Sequence, residues 1–467
     1  MAELVAGEPK THELARFCSD LDITVIPEEV QHNVRRALLD WLAAVLTGVR
    51  DPAAVKLRKM ISEVAPVGAA QIAGSQQLTT APFAALANGY TSHLNDFDDV
   101  FNPDQTTVHL GSCLWPTILA MSELRPITGS TAIASFVAGF EAGARVACAA
   151  GLAHYESPWQ VTGTAGRVAA AAAAARALAL PADATTNALG IGASQAGGLR
   201  EVYGTDNKAL QPAKAAMDGL LAGLLAERGF SSRDTALEGQ RGLLRAVSPS
   251  PAPEVLVEGL GSTWLLLENG HKLYPSASLT HPIIDAAVSA ADGAVIDADA
   301  VRGITAAMHP FAADVTATRH PDSPTSARFS APHCIAVAVL SGSVRLADFA
   351  QAAIASPSIS ALRDKVQLES DGSLSKRSAH IQITLKDGTR IEEAVDTNRG
   401  CPGNPISDKD LEAKFCETAG QPATGMAAKE IISLCWQLES YADVRACLSQ
   451  LNYFYATEPG RSPGLTG

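Results

Sequence analysis

The chain has 467 residues, 47% of them apolar and 18% charged. That composition excludes intrinsic disorder, and the length predicts two or three domains, or one large domain with an insertion. A formal charge of −13 at pH 7 argues against a nucleic-acid partner, because binding a polyphosphate needs a basic surface. It leaves room for an anionic substrate, which needs only a few local cations.

The first residues, MAELVAGEPKTHELARF, lack the basic start, apolar run and cleavage site of a signal peptide. No uninterrupted apolar run reaches about 18 residues, so no membrane span is expected. Aromatics are only 5% and alanine dominates the apolar set, which favours closely packed helices. Residues 30–49 carry apolar side chains at Val34, Leu38, Leu39, Leu42, Val45 and Leu46, a helical period. Further helices are predicted over 82–92, where Pro82 suits a first turn, and over 115–123, 131–151, 164–180 and 209–229.

The texture changes near Ser262. Strands are predicted over 303–308, 380–385 and 389–395, the last pair forming a hairpin around Gly388, with helices over 279–292 and 331–340. Helical pattern returns over 408–415 and 425–451, and the Gly/Pro/Ser-rich tail from Glu458 is expected to fray. The fold expected is mainly α with an α+β part: a helical domain over 1–267, completed by 401–457, and a smaller α+β lid over 268–400. Neither a fixed-period repeat nor a Gly-rich loop after a strand suggests a nucleotide fold. The eight cysteines are scattered without a C-x-x-C pair, so zinc and iron–sulfur spacings are missing and reduced thiols in a cytoplasmic protein are expected.

Three clusters carry polar chemistry. The densest runs from His93 through Asn95, Asp96, Asp98 and Asp99 to His109 and Ser112. On a helix Asp96 and Asp99 share a face and Asp98 points elsewhere; helix capping is the bland alternative. The second is Gly204-Thr205-Asp206-Asn207-Lys208, where a lysine before an apolar helix either meets a substrate carboxylate or sits in solvent. The third runs from His271-Lys272-Leu273-Tyr274-Pro275-Ser276 to His281, either a cleft wall or an ordinary Pro-containing turn.

Together these segments resemble the MmgE/PrpD (2-methylcitrate dehydratase-like) family. AALANGYTSHLNDFDD, from Ala84 to Asp99, is similar to its hallmark segment, and His109-Leu110-Gly111-Ser112 resembles its HPSG step. The blocks at Thr162–Gly166, Gly204–Lys208, His271–Ser276, Ala327–Ser330 and Asn404–Ser407 follow in family order. The resemblance implies a helical domain, an α+β lid, usually a homodimer, and a cleft site without metal or other cofactor that acts on a small polycarboxylate. It places catalytic positions on Asp96, His109, Lys208 and Lys272, with Gln160, Thr162, Tyr274 and Ser276 as substrate-binding neighbours.

The family's chemistries include 2-methylcitrate dehydration, cis-aconitate decarboxylation and iminodisuccinate epimerisation. Most share a proton moved at carbon beside a carboxylate. The lysines suit stabilisation of the enolate-like dianion, and His109 suits the general base, because an imidazole titrates near pH 6.5. Asp96 is expected to orient His109 or shuttle its proton. This chain departs from the family pattern at Gln160 and Ala277, where histidine or another polar group is common, at Val100, and in a longer 99–109 loop. The reduced set of acids points toward epimerisation of an iminodisuccinate-like acid. A 2-methylcitrate-type dehydratase, a cis-aconitate-type decarboxylase and a non-catalytic binding protein are the alternatives.

Overall fold

The computed structural model describes residues 8–291, 296–420 and 425–457; the tail expected over 458–467 lies outside them. Among the described residues, nine helices of eleven residues or more build the first part: α1 (Lys10–Asp20), α2 (Glu28–Gly48), α3 (Pro52–Val64), α4 (Ala81–His93), α5 (Gly111–Ser122), α6 (Gly129–Tyr155), α7 (Val161–Ala177), α8 (Ala182–Ser194) and α9 (Asn207–Glu227). A minimal hairpin, β1 (Ala70–Gln71) and β2 (Leu78–Thr79), joins α3 to α4. The alanine content becomes close helix contact. A methyl group added at Gly219 or Gly223 of α9 would collide with Ala170 or Ala174 of α7. By length and composition α6 could cross a membrane, but its apolar window is wholly buried among the other helices. It also carries a buried Glu141–Arg145 pair at 3.3 Å.

The smaller part is a four-stranded sheet in the order β6-β5-β7-β8, formed by β5 (Val301–Met308), β6 (Val366–Ser370), β7 (Ala379–Leu385) and β8 (Arg390–Val395). β5 pairs parallel with β6 and antiparallel with β7, and β7 pairs antiparallel with β8. The helices His281–Ala291 and Ala331–Ser341 pack on it around a core that includes Ile283, Ile304, Ile335 and Ile381. The larger core joins the first helices to Leu411, Phe415, Ile431 and Leu448, so the chain beyond the sheet returns to the bundle. There the pattern predicted as one helix over 425–451 is two, Met426–Trp436 and Arg445–Thr457.

A two-residue ladder connects the two parts. β3 (Val100–Phe101) pairs antiparallel with β4 (Asn269–Gly270), Val100 opposite Gly270 and Phe101 opposite Asn269. Gly270 is required there, since a Cβ would come within 2.8 Å of the Gly400 carbonyl oxygen. Lys414 of the helix Asp408–Ala419 reinforces the junction, donating to Asp40 Oδ1 at 2.7 Å and to the carbonyls of Phe97 at 2.7 Å and Lys272 at 2.9 Å.

Candidate active site

The polar cluster after α4 is not helical. α4 ends at His93, and Asp96 adopts the left-handed conformation with φ 52°, which an L-residue other than Asn or Asp rarely takes. The expectation that Asp96 and Asp99 share a helix face is therefore corrected. Asp96 lines a cleft together with His109, Gln160, Thr162 and Lys208. Asp99 turns away and accepts from Gly111 N–H at 3.1 Å and Asn269 Nδ2 at 2.7 Å.

The β3–β4 ladder delivers Lys272 to the back of Asp96. Lys272 Nζ lies 2.5 Å from Asp96 Oδ1 and 3.0 Å from the Asp96 carbonyl oxygen, and Lys208 Nζ lies 3.1 Å from the same Oδ1. Burial alone would push the Asp96 carboxyl up, but the two ammonium groups outweigh it and hold it well below the usual carboxylate range. Lys208 is lowered, first by burial and then by Lys272, against the attraction of Asp96. Its Nζ also stands over the Phe329 ring at 5.3 Å.

His109 is oriented from the other side. Its backbone N–H donates to Thr162 Oγ1 at 3.1 Å, and its Nδ1 lies 3.0 Å from the Asp99 carbonyl oxygen. A carbonyl can only accept, so Nδ1 carries the proton and Nε2 keeps a free lone pair. Asp96 is thus not the orienting group. The neighbouring carboxylate is Asp98, whose Oδ2 accepts from Ser112 at 2.7 Å, pairs with His93 Nδ1 at 2.8 Å and lies 3.6 Å from His109 Nδ1. Burial, helped by Lys272, pushes the His109 imidazole down to about 3 despite Asp98. Asp99 is pushed up to about 8 by burial and by Asp40 and Asp98.

Two expected substrate contacts are not in the cleft. Tyr274 Oη donates to Asp285 Oδ1 at 2.7 Å, and Ser276 is fully buried with its Oγ 2.9 Å from Thr280 Oγ1. Both side chains are consumed in holding the loop that presents Lys272. Lys272 itself lines a second, smaller cavity behind Asp96. Phe329, from the Ala327–Ser330 block, also lines the cleft. Arg200, Tyr203 and Phe311 line it unforeseen; nothing in their local spacing marks them. Arg200 donates to the Tyr155 carbonyl at 3.2 Å and stacks over Phe311 at 5.0 Å.

The fold also creates a donor set that the sequence spacing does not show. Ligand-type atoms of His93, Asp96, Asp98 and His109 lie within 4.8 Å of one another. A divalent ion fits this set poorly, because Asp96 Oδ1 already faces two ammonium groups. Asp98 Oδ2 is likewise taken by His93 and Ser112, whereas Asp98 Oδ1 and His93 Nε2 have no hydrogen-bond partner among the described residues.

Two carboxylates, two ammonium groups and the imidazoles of His93 and His109 are thus buried together where two structural units meet. The chain belongs to the MmgE/PrpD family: the family's N-terminal domain matches residues 12–256 and its C-terminal domain residues 274–438. It is 26% identical over 477 residues to a cis-aconitate decarboxylase of Aspergillus terreus, covering 95% of this chain and 96% of that one. It is 27% identical over 470 residues to the human cis-aconitate decarboxylase, covering 93% and 92%. It is 27% identical over 462 residues to the mouse cis-aconitate decarboxylase, covering 93% and 91%.

Proposed function

We propose that this protein generates and reprotonates an enolate-like carbanion beside a carboxylate of a small polycarboxylate, most simply by decarboxylating an unsaturated tricarboxylate of the cis-aconitate type. The observation that carries the reading is the fixed tautomer of His109, with Nδ1–H on the Asp99 carbonyl and Nε2 free at the wall of the cleft. With Asp96 and Asp98 ionised against Lys208 and Lys272, the four charges balance. Every substrate carboxylate that enters adds uncompensated negative charge and raises the proton affinity of His109. Binding therefore favours the protonated imidazole, which burial otherwise opposes.

In the chemical step the bond from carbon to the departing carboxyl breaks and CO2 leaves. The electron pair passes into the remaining conjugated carboxylate. Lys208 and Arg200 stabilise the resulting dianion electrostatically, and His109 Nε2–H delivers one proton to carbon. One imidazole suffices for this sequence, and the relatives named above favour it.

Epimerisation is the second reading, favoured by Gln160 and Ala277 in the cleft wall, which leave few acids for expelling a hydroxyl. It needs a second proton-transfer group on the opposite substrate face. Lys208, lowered by burial, is the group for that role. Proton NMR in D2O with succinate-, citrate- and aconitate-like acids separates the cases. Loss of CO2 with one deuteron gained at carbon is expected. Exchange at the α-carbon without net loss of substrate replaces this with epimerisation, alkene formation replaces it with dehydration, and silence across the panel refutes the polycarboxylate assignment.

A further inference from the structure

The 99–109 loop, longer than the family pattern, is tied at its base and held at its tip. At the base Phe101 and Val108 exchange backbone hydrogen bonds of 3.0 and 2.9 Å. The stems just outside that pair carry both partners of the bond that fixes the His109 tautomer, the Asp99 carbonyl and His109 Nδ1. Within the loop Thr107 Oγ1 donates to Asn102 Oδ1, and Thr107 lines the cleft.

The tip is gripped by the other structural unit. The turn between β6 and β7, residues 371–378, brings Lys376 and Arg377 against it. Lys376 Nζ donates to the Asp104 carbonyl at 2.7 Å and to the Pro103 carbonyl at 3.4 Å, and Arg377 Nη2 donates to the Asn102 carbonyl at 2.9 Å. The turn is itself braced. The Arg377 carbonyl accepts from Asn398 N–H at 3.0 Å, and Ser378 Oγ accepts from Ser375 N–H at 2.8 Å. Lys376 is only 8% exposed, and a buried ammonium group costs free energy unless its N–H groups find acceptors. Its acceptors are the two loop carbonyls, and its Nζ also stands 4.5 Å over the ring of Tyr155, another cleft residue. The charge is thus spent on fixing one stretch of backbone.

We infer that Lys376 and Arg377 are positioning residues: reaching across from the sheet unit, they clasp the 102–104 backbone so that the stems of the loop keep His109 Nδ1 on the Asp99 carbonyl and Nε2 free for proton transfer. The inference rests on the role proposed for His109 and adds to it a requirement for the second structural unit.

Two measurements on the whole protein test this: turnover of cis-aconitate, and hydrogen–deuterium exchange at the hydrogen-bonded N–H groups of Thr106, Val108 and His109. Lys376→Met keeps an apolar stem over Tyr155 and removes the ammonium group. In it, and in Arg377→Gln, exchange at the three N–H groups should quicken about ten-fold or more, the scale of one charge-assisted hydrogen bond. The kcat should fall about ten- to a hundred-fold, as for a small misplacement of a reacting group. KM should be nearly unchanged, because neither side chain is among those lining the cleft. Lys376→Arg should restore most of both losses. Lys365→Met is the control. Lys365 Nζ also donates to two carbonyls, those of Ala298 and Val301 at 2.8 Å each, but inside the sheet unit, so its loss should move neither readout. Arg377 is half-buried, so its variant keeps the test valid if Lys376→Met does not fold. Unchanged exchange in the folded variants overturns the clasp. Faster exchange with unchanged kcat overturns its bearing on His109. A raised KM at unchanged kcat would make Lys376 a substrate contact and overturn the positioning role. So would a loss that Lys376→Arg does not restore, which marks packing on Tyr155 rather than donation to the loop. If the native protein leaves cis-aconitate untouched, the decarboxylase reading falls, and exchange at His109 N–H still decides the clasp.

Discussion

Replacing Asp96 by Asn isolates the charge that holds the site together. Asn tolerates the left-handed conformation at φ 52°, so backbone strain is not added. What is lost is the carboxylate that Lys272 meets at 2.5 Å and Lys208 at 3.1 Å. Removing one partner of a buried ion pair typically costs about 3–5 kcal/mol. Here the loss has a ceiling, because a stranded lysine can shed its proton. Neutralising a lysine of ordinary pKa at pH 7 costs about 5 kcal/mol, at about 1.4 kcal/mol per pH unit. Asp96→Asn should therefore lower unfolding stability by about 3–5 kcal/mol at pH 7, read from urea denaturation followed by circular dichroism. The deficit also has a pH signature. With a lysine deprotonated in the folded variant but protonated when unfolded, the unfolded state binds more protons, so folding stability rises with pH. The gap to the native protein should narrow between pH 7 and 9. A loss below about 1 kcal/mol, or a gap unchanged over that range, would refute the claim that Asp96 neutralises two buried ammonium groups.

Two further outcomes follow from the same geometry. His109 is lowered to about 3, so between that value and its unfolded value of about 6.5 the unfolded chain binds a proton that the folded chain does not, and stability falls as pH falls. Asp99, raised to about 8, contributes the opposite slope, so the difference between proteins is the test. His109→Gln should flatten the pH dependence of urea unfolding between pH 6 and 4 by about 1.4 kcal/mol per unit, and an unchanged slope would mean that His109 is already protonated in the folded protein. Gly111→Ala would drive a methyl group into the Asp99 carboxylate, displacing the residue whose carbonyl orients His109. It should cost about 1–3 kcal/mol of stability and lower kcat more than it changes KM, whereas Gly303→Ala, with open space around it, should do neither.

The long helices were legible because their apolar side chains keep one period. The pattern predicted over 30–49 is α2, and that over 209–229 is α9. Short or weakly patterned elements were not. α8 (ADATTNALGIGAS) is small and polar enough to pass for a loop, and β6 is a mostly solvent-facing edge strand with only Val366 buried. At the site, Asp96, His109, Lys208, Gln160 and Thr162 were legible as family positions and share one cleft. The placement of Asp98 beside His109 was not legible, because the chain turns left-handed at Asp96 instead of continuing as a helix. Tyr274 and Ser276 sit beside Lys272 in sequence, yet their hydroxyls are spent on Asp285 and Thr280. Adjacency in a motif does not distinguish a substrate contact from a loop support. Arg200 and the cleft aromatics become neighbours only through tertiary packing.

Deuterium incorporation during turnover in D2O, native protein against His109→Gln, tests the central claim that His109 transfers a proton at carbon. With an aconitate-like tricarboxylate, the native protein should yield product carrying one solvent-derived deuteron at the carbon that lost the carboxyl or at its conjugated partner. His109→Gln should bind the acid with similar affinity and turn it over about 10²–10⁴-fold more slowly. Equal rates and equal labelling in the two proteins would contradict the account.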